Sequence, residues 1–512
     1  MPGEWRATTG LLEPSSLSNA ERRELITELL RTLLADPDAD PSRIHDEVRD
    51  KLAPAHFTFP QMVDQPAETE RWQAVGRWLC RYGTDVRPVL IGLLLLQRCG
   101  TTQDAELVRV LGILPRLTCL AAAVLKQIDA PVSNLTALAE CVPSRLRGGL
   151  IQALVQIDDP TAAQWLRNHA VGDVPVEPWI ARSVAERIDL AAELATPDPD
   201  PVFIDQATRL LASMCRDARR APAIIDYADA IEAITAVVNH ARRVTATLPA
   251  AAALAALVDA ISTGAAARLD WPVGAREQCI DRIIALVRTR PWSEVLDVPD
   301  AEPAGTESDL NSRKEPEIVR DRAAWANTVF AREQAAHLER RPQQAQPAGQ
   351  GTVSHLRLCI SAPDPGRVED EAELRILIDG LPVVSTVFPC GRGRPPRLAS
   401  GLSTAAEPFT AVLAAHLARP GEAGVVTLHE DVEHAAVCTA KLTVTITREN
   451  GLVLWRDWRG VEPSQPTLPE PSFDARQYDT EIARIAATSD TPRRRSADAD
   501  RTWSKTGRPP TT

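Results

Sequence analysis

Leu117-Thr118-Cys119-Leu120-Ala121-Ala122-Ala123-Val124-Leu125-Lys126-Gln127-Ile128 sets the reading of this chain. Its residues Leu117, Leu120, Ala121, Val124, Leu125 and Ile128 recur three and four apart, the spacing that lines one face of an α-helix. The same rhythm continues with little interruption from about 67 to 296. Upstream it runs through Trp72, Val75, Trp78 and Leu79, then Val89 to Leu96, a stretch apolar enough to be buried on most sides. Leu107, Val110, Leu111 and Leu114 form the next stripe. Downstream come Leu150, Ile151, Leu154 and Val155, then Ile224 to Val238, then Ile280, Ile283, Ile284 and Val287. Nearer the start, Ser18-Asn19 is a helix cap ahead of the stripe Leu25 to Leu34, and a short helix is expected over 41–52.

Near residue 352 the rhythm changes. From Thr439 to Thr447, Leu442, Val444 and Ile446 alternate with Lys441, Thr443, Thr445 and Thr447, the period of a half-buried strand. Strands are expected at 353–361, 372–379, 382–388, 424–430, 435–448 and 451–457, with one helix at 405–418. Asp379-Gly380 and Asn450-Gly451 read as hairpin turns, because both positions of such a turn need a positive φ. A short helix is expected around Phe473–Ile485, and 488–512 reads as disordered. The fold class is α followed by α+β. Its parts are N-terminal helices (1–60), a helical repeat domain (61–298), a linker with one exposed helix (299–351), a strand-rich module (352–460) and a proline-rich tail with a short helix (461–512).

Prolines 88, 115, 131, 143, 160, 178, 201, 222, 249, 272 and 291 punctuate the helical part at a spacing of ~20 residues, or ~40 per helix pair. A proline in the first helical turn forfeits an amide hydrogen that had no partner there. The run from Arg87 to Asn168, and in particular Gln152-Ala153-Leu154-Val155-Gln156-Ile157-Asp158-Asp159-Pro160-Thr161-Ala162, resembles HEAT and armadillo-type repeats, which close a helix with Asp-Pro before the next begins. The resemblance implies an α-solenoid, extending to 296 if the pattern holds, whose groove binds a protein or occasionally nucleic acid. It brings no catalytic residues with it. The whole layout is also similar to that of uncharacterised proteins of GC-rich bacteria, which implies a bacterial origin and nothing about activity.

Composition narrows the function classes. Apolar residues make up 44 % and charged residues 25 %, ordinary globular values, while aromatics are only 4 %. Net charge is −12, distributed as −10 over 1–350 (38 basic, 48 acidic), −4 over 351–470 (11 basic, 15 acidic) and +2 over 471–512 (8 basic, 6 acidic). A general nucleic-acid binder normally carries a net basic domain, and neither large part does. The nine cysteines form no CxxC pair and mostly sit in apolar runs such as Leu117 to Leu120, so they read as buried thiols in a reducing cytoplasm. The longest apolar stretch, Val89 to Leu96, is far short of the ~20 residues that span a bilayer.

Three motifs carry possible chemistry. Arg392-Gly393-Arg394-Pro395 matches the core of an AT-hook, whose arginines enter the narrow minor groove, but only Arg397 flanks it and its module is acidic. His429, Glu430, Asp431, Glu433, His434 and Cys438 are the densest set of metal-ligand residue types, at a spacing that fits no zinc signature. Trp455 and Trp458 end a strand, and simple alternation sends them to opposite faces; ordinary packing is the default reading, and an exposed tryptophan beside Arg456 as a partner anchor is the alternative. GxSxG, HExxH and P-loop motifs are absent, and Ser400 and Ser403 lie near glycines without a strand–turn–helix setting. No catalytic, cofactor-binding or metal residue is assigned, and the balance points away from an enzyme. The expectation is a cytoplasmic protein–protein interaction scaffold: a helical array plus a strand module, with no membrane contact. A nucleic-acid-associated protein using the groove and the Arg392–Pro395 loop is the first alternative, an enzyme of unknown class the second.

Overall fold

Proline opens helices where the sequence reading places it, and carboxylate and threonine caps complete other starts. The Arg87 amide donates to Asp85 Oδ1 (3.0 Å), Val202 N to Asp200 Oδ1 (3.0 Å) and Ala250 N to Thr247 Oγ1 (3.3 Å), satisfying amides that a helix start leaves open. Pro160, Pro178 and Pro201 each open a helix. At the Asp-Pro junction, Thr161 N donates to Asp159 Oδ1 (2.6 Å). The computed structural model describes residues 32, 36, 39–51, 69–172, 176–216, 223–297, 315–343, 353–361, 364–365, 373–383, 424–430, 441–459 and 470–485. The cap at Ser18, the stripe Leu25 to Leu34, the helix expected at 405–418 and the tail 488–512 lie outside them, apart from Thr32.

By its contacts the chain divides into two units, Met1–Ala163 and Gln164–Thr512. The first holds α1 (Pro41–Lys51), α2 (Thr69–Tyr82), α3 (Val86–Cys99), α4 (Ala105–Gly112), α5 (Thr118–Gln127), α6 (Val132–Cys141) and α7 (Gly148–Val155), and α8 (Pro160–His169) begins in it. Helices two apart in the chain pack side by side. One row runs α1, α3, α5, α7 and the other α2, α4, α6. As the sequence implies, α3 is buried continuously from Pro88 to Leu96. Each fully buried leucine there contributes roughly 1.5–3 kcal/mol. α2 and α3 cross at two glycines: a Cβ on Gly92 would lie 2.9 Å from Gly76 O and 2.8 Å from Cys80 Sγ. In α4 the buried face is Ala105, Val108 and Gly112, not the predicted stripe, so Val110 (49 % exposed) and Leu114 (43 %) face outward with Ile113 (42 %). Gly112 decides this rotation, since a Cβ there would meet Leu138 Cδ2 at 2.6 Å and Ala121 Cβ at 2.8 Å.

The second unit continues the pattern with α9 (Pro178–Arg187), α10 (Leu190–Leu194), α11 (Pro201–Met214), α12 (Ala230–His240), α13 (Leu248–Ser262), α14 (Ala275–Val287), α15 (Trp292–Leu296) and α16 (Glu315–Gln343). Here α9, α11 and α13 form one row and α10, α12 and α14 the other, and α16, three helices on, packs against α13 past short α15. Alanine makes α13 thin enough for neighbours to approach on every side: Ala250 to Ala255, Leu257, Val258, Ala260 and Ile261 include only buried residues. No strand interrupts the described residues between 69 and 297, and no described helix is long and apolar enough to cross a membrane.

The strands belong to the second unit. One antiparallel sheet has the order β1 (Leu356–Ser361), β2 (Glu373–Ile378), β3 (Leu381–Pro382); the other has β4 (Gly424–Glu430), β5 (Lys441–Glu449), β6 (Leu452–Arg459), β7 (Ser472–Asp474). Both hairpin turns form as read, with positive φ at Asp379 (52°), Gly380 (81°), Asn450 (52°) and Gly451 (79°). Val444 and Ile446 point into the core as the alternation requires. Phe473, expected in a helix, lies in β7; α17 occupies residues 475–485 after it. The two sheets and α17 share one core, in which Leu356, Leu358, Ile376, Val444, Val453, Trp455, Phe473 and Tyr478 are buried. Side chains of α17 take the place of a further strand along β1. Leu358 N donates to Glu481 Oε1 (2.5 Å), Gln477 Nε2 donates to Leu356 O (2.7 Å), and Arg484 donates to Leu358 O.

Trp455 and Trp458 do not diverge. Asp457 takes φ 51°, and the β5–β6 register steps from Thr445↔Arg456 to Thr443↔Arg459, so β6 holds one extra residue. This bulge resets the alternation, and both rings reach the same core, 5.8 Å apart and edge to face. Trp455 Nε1 donates to the Tyr478 hydroxyl (3.2 Å). The tryptophan pair is ordinary packing, the default reading of the sequence, and the alternative of an exposed anchor does not hold.

Candidate functional site

A cleft of about 380 Å³ opens in the second unit where α14 ends, α15 turns and α16 passes. Short α15 exists because Trp292 and Leu296, four residues apart, are both buried. Its last carbonyl is held from across the cleft: Asn327 Nδ2 of α16 donates to Leu296 O (2.9 Å). Val287, Leu296 and Phe330 make an apolar floor, while Arg288, Ser293, Asp297 and Gln334 supply the polar walls. Arg288 and Asp297 are exposed and carry opposite charge, yet neither joins an ion pair among the described residues. The walls bring one cation and one anion around an aliphatic–aromatic floor, with no cysteine or histidine among the lining residues.

Next to it, buried charges fix the first sheet to the helices. Asp259, in the last turn of apolar α13, receives Arg332 of α16 at one carboxylate oxygen and Arg375 of β2 at the other (2.8 Å). Arg375 also donates to Thr263 Oγ1 (2.9 Å), and Arg332 Nε donates to Glu333 Oε1 (2.8 Å). Burial alone would raise the carboxyl pKa of Asp259, but the two guanidinium charges outweigh it and hold the group well below the usual carboxylate range. A second such bridge joins Arg322 of α16 to buried Asp364 (2.9 Å). These pairs anchor structure; each carboxylate is already occupied by arginine. The signal was present in the sequence, since Asp259 is a lone carboxylate in the apolar run Leu254 to Ile261.

The motifs singled out by sequence fare differently. Arg392–Pro395 and Arg397 lie outside the described residues, as do Asp431, Glu433, His434, Cys438, Ser400 and Ser403. His429 and Glu430 fall on β4 just past a register shift after Thr427, and their side chains are outside the description too. Among the described residues no group of three or more His, Cys, Asp or Glu side chains is placed to share a metal ion. Of the seven described cysteines, Cys80, Cys215, Cys279 and Cys359 are buried and Cys99 is partly so. Burial pushes the Cys80 thiol up to about 12 and the Cys99 thiol up to about 11, leaving both as inert thiols. Cys119 and Cys141 depart from the buried reading and are exposed; Cys119 begins α5 on the side away from Leu120, Ala121 and Val124. No family model, curated protein or solved structure matches the chain.

Proposed function

We propose that this chain is a non-enzymatic scaffold that holds a protein partner on a two-row array of α-helices of the HEAT-like solenoid type, working in a reducing cytoplasm. The packing of helices two apart in each unit carries the reading. Successive helix pairs in an α-solenoid meet in that way, and the arrangement presents long rows of side chains to a partner. Exposed apolar side chains support it. Val110, Ile113 and Leu114 cluster at the end of α4 in the first unit, and Trp179 (39 % exposed) and Val202 (57 %) stand in the first turns of α9 and α11 in the second. Tryptophan is among the residues that most often anchor protein interfaces, and neighbouring exposed apolar side chains add surface that a partner can cover.

Affinity capture with the tagged full-length chain from native lysate tests the proposal. The expected result is a partner retained in near-stoichiometric amount and released by Trp179→Ala or by Val110→Ser with Leu114→Ser. Capture of nothing above background, or of nucleic acid in place of protein, would overturn it.

A further inference from the structure

We infer that the cleft between α14, α15 and α16 docks an extended segment of the protein partner in which one aliphatic residue stands between an acidic and a basic residue. The inference rests on the scaffold reading and names the chemistry of one contact within it. Charge complementarity carries it. Arg288 and Asp297 flank the floor of Val287, Leu296 and Phe330, with no ion-pair partner for either among the described residues. Opposite charges that share a cleft and pair with no described residue offer a cation and an anion to a ligand. A segment with both charge signs meets them; one with a single sign leaves one wall unmatched or repelled. The volume of about 380 Å³ is at the small end for a binding cleft, enough for an aliphatic side chain with its flanking backbone. Asn327 donates to Leu296 O, and the lining also includes the Gln334 amide and the Ser293 hydroxyl, groups able to donate to or accept from a peptide backbone.

The probe is a set of four fluorescein-labelled octapeptides with a central leucine flanked by Glu–Lys, Lys–Glu, Glu–Glu or Lys–Lys, read by fluorescence anisotropy against the full-length chain. One of the two mixed-sign peptides should bind best, with Glu–Glu and Lys–Lys each roughly three- to five-fold weaker, the range of one exposed charge contact. Because Arg288 and Asp297 are both exposed, the double substitution Arg288→Glu with Asp297→Arg leaves the core intact and should make the other mixed-sign order the better binder. Equal binding of all four peptides, no binding, or an order unchanged by the charge exchange would overturn the inference. Sedimentation of the chain alone adds one further outcome: a concentration-dependent dimer dissociated by the exchange would put a second copy in the cleft, against the assignment. Partner capture with the exchanged chain separates the two failures. A partner kept while the peptides show no selectivity defeats the cleft alone, whereas a wild-type chain that captures nothing defeats the scaffold reading beneath it.

Discussion

Replacing Asp259 by Ala removes the one carboxylate that α16 and β2 share on α13. Two charge-assisted hydrogen bonds disappear, from Arg332 and from Arg375, each worth about 1.5–3 kcal/mol. Part is recovered, because Arg332 keeps Glu333 and Arg375 keeps Thr263. The loss should therefore sit near the lower end of the sum, about 3–4 kcal/mol, in line with about 3–5 for breaking a buried pair from one side. Hydrogen exchange read by mass spectrometry localises it: amides of β1 and β2 should open about 150- to 900-fold more often, those of α2 and α3 at the wild-type rate. A triple replacement, Asp259→Leu with Arg332→Met and Arg375→Met, should return stability to within about 1 kcal/mol of the wild type, since it leaves no charge stranded. The pH dependence follows in sign. The folded-state pKa of Asp259 is lowered, so its contribution is complete above the ordinary carboxylate value of 3.8 and is lost as pH falls below that through the folded value. The gap between wild type and Asp259→Asn should be flat from pH 8 to 5 (roughly one to four units above that value) and narrow below about 4. A loss under 1 kcal/mol, or exchange that rises equally in α2 and α3, would refute the view that this carboxylate fixes the first sheet to the helices.

Three other substitutions test separate parts of the fold. Gly92→Ala forces a Cβ to 2.9 Å from Gly76 O, so overpacking of about 1–3 kcal/mol should exceed the gain in helix propensity of about 1, and urea unfolding should show a net loss. Asp457→Gly should be nearly neutral, whereas Asp457→Val should cost about 1–2 kcal/mol at the left-handed bulge position and shift tryptophan fluorescence as Trp458 leaves the core. Glu481→Ala strips the acceptor from Leu358 N and should cost about 1–3 kcal/mol, with faster exchange at Leu358 and no change in α13.

The helices, their proline starts and both hairpin turns were legible because each depends on residues within a few positions of one another. Asp379-Gly380 and Asn450-Gly451 needed only the rule that their φ be positive. The departures have local causes that periodicity does not encode. Gly112 turned α4 so that Val110 faces out, and a single left-handed Asp457 put Trp458 on the side opposite to the one alternation gives. Long-range features were hidden in another way. The cleft draws Arg288, Asp297 and Phe330 from three separate elements, and nothing in their spacing announces that they meet. Asp259 alone gave a hint, as a charge inside an apolar helix, but its two arginine partners lie far along the chain. The two-row order of helices was foreshadowed only by the proline rhythm, which marks where helices begin and not which ones touch.

The scaffold account is tested most directly by hydrogen-exchange footprinting of the full-length chain, alone and saturated with whatever protein it captures from native lysate. Bound chain should show new protection on helices two apart in one row, such as α9, α11 and α13, including the turns that carry Trp179 and Val202. Protection confined to the strands and α17, with every helical row exchanging as in the free chain, would contradict it.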